Sequence, residues 1–145
     1  MPTTRRSRLI AAGPETVWEV VSDPYHLPRW WPRVRRVEDV AGGRWTKVFG
    51  TGKGKAVRAD ERLIDNEPPR RRAWTQDLEE SPFERMFREV STEIVLEPGA
   101  GGTRVTVSMH QRLRGINRFG GFLVRRASRR VLDEALEGPE RSCGP

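Results

Sequence analysis

Several residue types that carry chemistry are scarce in this chain. It has one cysteine, Cys143, near the C-terminus, so no internal disulfide can form. It has two histidines, His26 and His110, far apart and with no cysteine near either, so metal-ligand spacing is absent and no metal is expected. Lysine is nearly missing: three lysines stand against 24 arginines. No apolar run approaches the roughly 20 residues that span a bilayer. The N-terminus MPTTRRSRLIAAG has charge but no apolar h-region, so no secretory signal is read and a cytoplasmic protein is the expectation.

What is present is ordinary globular chemistry. The chain has 145 residues, 35% of them hydrophobic, with five Trp and five Phe. That suits one domain over 1–145 with one real core. The net charge of +7 comes mostly from arginines scattered through the expected strands and the long helix, which fits solvated faces better than a concentrated nucleic-acid site. No DNA partner is expected, and no feature sets an oligomeric state.

Local patterns define the elements. Residues 4–11 read as a strand, stopped by Gly13-Pro14, with Pro14 suited to the first turn of a helix. PETVWEVVS (14–22) is a short helix ended by Asp23-Pro24. PYHLPRWWP (24–32) allows only a helical turn or loop, yet carries Tyr25, Leu27, Trp30 and Trp31. Strands follow at 33–41, 44–49, 55–65, 70–79, 86–97 and 103–113. They are separated by Gly42-Gly43, GTGKG (50–54), DNEPP (65–69), ESPFE (80–84) and PGAGG (98–102). Connections this short make an antiparallel meander. Ile116, Phe119, Leu123, Ala127, Val131 and Ala135 then recur every three or four residues, marking a long helix to about Glu137. Gly138-Pro139 is expected to stop it, leaving a disordered tail over about 139–145.

This element order, together with AAGPETVWEVVSDPYHLPRWWPRVRRVE (11–38), DNEPPRRRAW (65–74) and VLEPGAGGTRVTV (95–107), resembles the START-like or SRPBCC superfamily, particularly its polyketide cyclase/dehydrase-type branch. The resemblance implies an α+β helix-grip fold: a seven-stranded curved antiparallel sheet with two short N-terminal helices. A long C-terminal helix encloses a cavity against it. The superfamily includes lipid carriers, hormone receptors and aromatase/cyclases, so the fold alone does not name a function.

Strand alternation selects the inward side chains. In 103–113, Val105, Val107, Met109, Gln111 and Leu113 share the covered face, which leaves His110 outside. In 86–97, Val90, Thr92, Ile94 and Leu96 point inward. In 55–65 the inward set is Val57, Ala59, Glu61 and Leu63, and in 70–79 it is Arg72, Trp74, Gln76 and Leu78. A hairpin closed by DNEPP would put Glu61 opposite Trp74, with Arg72 and Gln76 diagonal to it. The expected site is a polar cluster of Glu61, Arg72 and Gln76 in an apolar cavity lined by Trp45, Phe49, Val57, Trp74, Val107, Met109, Gln111, Phe119 and Leu123. Trp30 and Trp31 lie at its mouth or plug its end.

GTGKGK (50–55) lacks the spacing and following helix of a phosphate-binding loop, and no cofactor is expected. Three functions remain open. The first is a carrier or sensor for a lipid, polyketide or aromatic molecule. The second is an aromatase/cyclase- or dehydratase-like enzyme with Glu61 as acid/base and Arg72 stabilising an enolate. The third is a module whose helix arginines Arg118, Arg125 and Arg129, flanked by Arg126 and Arg130, meet RNA, an anionic membrane or a protein. Asp133, Glu134 and Glu137 follow those arginines at once and weaken that third field.

Overall fold

The computed structural model describes residues 3–50, 56–79, 87–113 and 118–143, with side chains for all of these except 118–125 and 140–143. The GTGKG and ESPFE turns, apart from Gly50, and the side chains of Phe119 and Leu123 lie outside the described residues.

The seven strands are β1 (Thr3–Ile10), β2 (Val34–Ala41), β3 (Arg44–Gly50), β4 (Ala56–Glu67), β5 (Arg71–Asp77), β6 (Phe87–Gly99) and β7 (Gly102–Leu113). They form one antiparallel sheet in the order β1-β7-β6-β5-β4-β3-β2. This is the meander read from the turn signals, with β1 added beside the last strand. Gly42 and Gly43 have φ of +57° and +74°, which the tight β2–β3 turn demands and residues with a Cβ resist.

Three helices lie with the sheet: α1 (Pro14–Ser22), α2 (Leu27–Trp30), which follows a single 3₁₀ turn over Pro24–His26, and α3 (Arg118–Cys143). Pro14 opens α1, and Val17 and Val21, one turn apart, are its buried residues. Together with α3 these give the helix-grip α+β fold. The core joins Ile10, Val17, Leu27, Ile94, Val105 and Val107 to Leu132, Ala135 and Leu136 of α3.

Two features of α3 depart from the sequence reading. The helix continues through Gly138 and Pro139 to Cys143, so 139–143 are helical and not a disordered tail. Gly138 does not cap the helix; it lies against the backbone of Trp30, where a Cβ would stand 2.3 Å from the Trp30 Cα. The buried face is also rotated. Ser128, Leu132, Ala135 and Leu136 are buried, whereas Ala127 is exposed and Val131 only half-buried. Ser128 takes a place in that face because its hydroxyl donates to Gln111 Oε1 at 2.7 Å, tying α3 to β7. Replacing Ser128 by alanine leaves that buried acceptor unpaired. It should cost about 1–2 kcal/mol in urea unfolding.

The β4–β5 hairpin closes later than DNEPP suggests. Asp65 and Asn66 remain in the strand, Asp65 binding Arg71 across the hairpin, and the turn closes where Arg70 N donates to Glu67 O at 2.7 Å. Ile64 is bulged between the pairs Leu63–Trp74 and Asp65–Ala73.

Candidate functional site

That register decides which polar groups meet. Glu61 lies opposite Gln76, and Trp74 lies opposite Leu63. Arg72 is carried along the strand to pair with Asn66. The expected Glu61–Arg72–Gln76 cluster therefore does not form as drawn. Arg72 instead sits over the ring of Trp45, 5.5 Å from its centroid, and bonds Asn66 Oδ1 at 3.4 Å. Burial lowers its guanidinium below the ordinary arginine value, and Asp23 opposes the shift.

The partner of Glu61 is Lys47, one strand over on β3, with Nζ to Oε1 at 2.8 Å. The side chain of Glu61 is 2% exposed and that of Lys47 15%, so this pair is nearly out of water. Burial raises the Glu61 carboxyl above the ordinary carboxylate value, against the pull of the Lys47 ammonium. The ammonium also stands over Trp31, 5.3 Å from the ring centroid. Lys47 was absent from the expected site, although it shares the inward alternation with Trp45 and Phe49.

A cavity of about 350 Å³ opens beside this pair. Its described walls come from the start of β2, from β3, β5, β6 and β7, and from Val131 of α3. Of the residues expected to line it, Trp31, Phe49, Gln76, Met109 and Gln111 do so. Lys47, Val34, Phe87, Val90 and Val131 join them, with Pro32, Arg33 and Gly50 at the β2–β3 end.

The other expected residues whose side chains are described are elsewhere. Trp30, Trp45, Trp74 and Val107 are buried in the core, and Glu61 is buried against Lys47. Val57 is half-buried and outside the described cavity wall. Four of the five tryptophans form a continuous edge-to-face row. Trp30–Trp31, Trp31–Trp74 and Trp74–Trp45 have centroids 5.4, 6.2 and 6.0 Å apart. The row belongs to the hydrophobic core, and its member Trp31 also lines the cavity.

Groups outside this site are quickly placed. His110 meets Thr3 on the far side of the sheet, and His26 is held by the Glu19 carbonyl at 2.9 Å. Among the described residues no group of three or more His, Cys, Asp or Glu side chains could hold a metal ion. No helix among them is long and apolar enough to cross a membrane. Arg126, Arg129 and Arg130 are exposed on α3, while the side chains of Arg118 and Arg125 lie outside the described residues.

Solved structures share the architecture. TTHA0849 of Thermus thermophilus is 29% identical, with a TM-score of 0.74 over 98% of this chain and 97% of its own. A START superfamily protein from Mycobacterium smegmatis is 14% identical, with a TM-score of 0.79 over 97% and 96%. BexL, a di-domain ARO/CYC protein of the BE-7585A biosynthetic pathway, is 12% identical; its TM-score is 0.78 over 99% of this chain and 50% of BexL. The last two likenesses show the fold alone. No curated protein matches the chain. The family model described as polyketide cyclase/dehydrase and lipid transport matches residues 1–142, and on that match, with the helix-grip sheet and its C-terminal helix, the chain belongs to this START-like family.

Proposed function

We propose that the chain binds a hydrophobic small molecule, of lipid, polyketide or aromatic type, in the cavity between the sheet and α3. The observation that carries this reading is the cavity itself. About 350 Å³ of space is walled mainly by Trp31, Val34, Phe49, Phe87, Val90, Met109 and Val131, with Lys47, Gln76 and Gln111 as polar points. An apolar pocket with a few convergent polar groups is the usual form of a small-molecule site. A ligand hiding about 250 Å² of apolar surface there would gain about 6 kcal/mol. Part of that offsets the roughly 4 kcal/mol or more lost on association, so the polar points decide whether binding is tight.

The test is to fill the space. Met109→Trp should lower affinity for any co-purified or added apolar ligand at least tenfold, with an unchanged circular dichroism spectrum. Native mass spectrometry of the purified protein identifies what is carried. A variant that folds and binds as well as the original would sink the reading.

The Glu61–Lys47 pair, with Lys47 in the cavity wall, favours a second reading, a cyclase- or dehydratase-type enzyme, since burial there raises a carboxyl suited to general acid work. In that reading Lys47, not Arg72, is the cation at the cavity wall. It fails if the purified protein leaves poly-β-keto substrates unconverted.

A further inference from the structure

Gln76 carries a buried amide nitrogen, Nε2, with no hydrogen-bond partner among the described residues. Three other buried polar atoms share that condition, on Thr4, Trp30 and Trp45, but only Gln76 belongs to the cavity wall. Leaving such a donor unpaired is costly, and native proteins seldom accept that without a reason.

Beside it stands a second donor with capacity to spare. The Lys47 ammonium has three N–H groups. Glu61 Oε1 takes one at 2.8 Å, and the Trp31 ring covers another side at 5.3 Å. No other acceptor meets it among the described residues, and Lys47 lines the same cavity. The ladder sets the two donors on either side of Glu61. Gln76 is directly opposite it on β5, and Lys47, paired with Ala59, is diagonal to it on β3. Diagonal neighbours on one face are within reach of long side chains.

We propose that Lys47 and Gln76 together receive one neutral carbonyl oxygen of the cavity's occupant, so that the ligand is an apolar ketone, ester or amide. The proposal rests on the cavity reading above. The choice of a neutral oxygen follows from charge. Glu61 already balances the Lys47 ammonium, so a carboxylate placed there would face a second buried anion with no cation left to match it. At about 6 Å and an effective dielectric near 20, that repulsion is comparable to the strength of the hydrogen bonds gained. A carbonyl accepts the same two hydrogen bonds without it.

Three probes of matched shape test this by isothermal titration calorimetry: methyl naphthyl ketone, ethylnaphthalene and naphthoate. The ketone should bind at least tenfold more tightly than the hydrocarbon. Gln76→Leu should reduce that preference about threefold. The paired variant Lys47→Met/Glu61→Gln, which leaves no lone buried charge, should remove what preference remains. Equal affinity for ketone and hydrocarbon in the unaltered protein would overturn the receiving pair while the cavity reading stands. Naphthoate binding more tightly than the ketone would overturn the neutral class. Binding of none of the three would overturn the cavity reading and the pair with it.

Discussion

Replacing Lys47 by methionine is expected to destabilise the protein by about 3 kcal/mol near pH 7, and by distinctly less near pH 5. The side chains are similar in length, so little packing is lost. What is lost is the cation facing a carboxylate whose side chain is 2% exposed. Burial already raises the Glu61 carboxyl above its ordinary value of 4.5, with Lys47 opposing the shift. Without Lys47 the shift grows. The sign follows from proton counting. Between the ordinary value and the raised one, the native state holds a proton that the unfolded chain has released. Stability therefore falls as pH rises across that interval, and the deficit of Lys47→Met widens with it. Adding Glu61→Gln removes the ionising group and should recover most of the loss with a flat pH response. Urea unfolding at the two pH values reads this directly. A deficit equal at both, or a double variant as weak as the single, would show that Lys47 does not compensate Glu61.

Gly138→Ala should lower the melting temperature by roughly 8 °C, a net loss of ~2 kcal/mol in a chain of this length. Helix propensity alone points the other way, because alanine inside a helix is favoured over glycine by about 1 kcal/mol. Contact geometry decides against it. A Cβ at Gly138 would stand 2.3 Å from the Cα of Trp30 and 2.8 Å from its carbonyl oxygen. Those are backbone atoms of α2, which cannot swing aside as a side-chain tip can, and forcing atoms into filled space costs about 1–3 kcal/mol or more. Thermal unfolding followed by circular dichroism gives the answer. A melting temperature unchanged or raised would mean that the approach of α3 to α2 is not a tight one. Because Trp30 packs on Trp31 at 5.4 Å, the displacement would also reach the cavity wall.

Strand periodicity made most of this architecture readable. Val105, Val107, Met109 and Gln111 fall on the inner face of β7 as alternation requires, and Thr92, Ile94 and Leu96 on that of β6. The turn residues placed every strand boundary within a few positions. Registers were harder, because a bulge has no composition of its own. Ile64 is an ordinary strand residue, and Asp65-Asn66 looks like a turn until Arg71 is seen to bind Asp65 across the hairpin. That shift separates Arg72 from Glu61 and brings Gln76 opposite it.

The end of α3 was hidden for a similar reason. Gly-Pro ordinarily stops a helix, and only the backbone of Trp30, over a hundred residues away in sequence, explains why a glycine stands inside this one. Lys47 shares a strand face with Trp45 and Phe49. A lysine is ordinarily turned to solvent, and the buried carboxylate that permits an inward one belongs to the next strand.

The two open edges of the sheet, β1 and β2, bear on how the protein behaves when crowded. An exposed edge strand is a template for pairing with another copy, the first step toward insoluble aggregates. Here β1 carries Arg5, Arg6 and Arg8, and β2 carries Arg35 and Arg36. The β2 edge is broken further by two irregularities in its ladder and by Arg33 and Asp39 in left-handed backbone conformations. Two copies laid together along β1 would bring arginine against arginine, and the broken β2 ladder offers a second copy no flat edge.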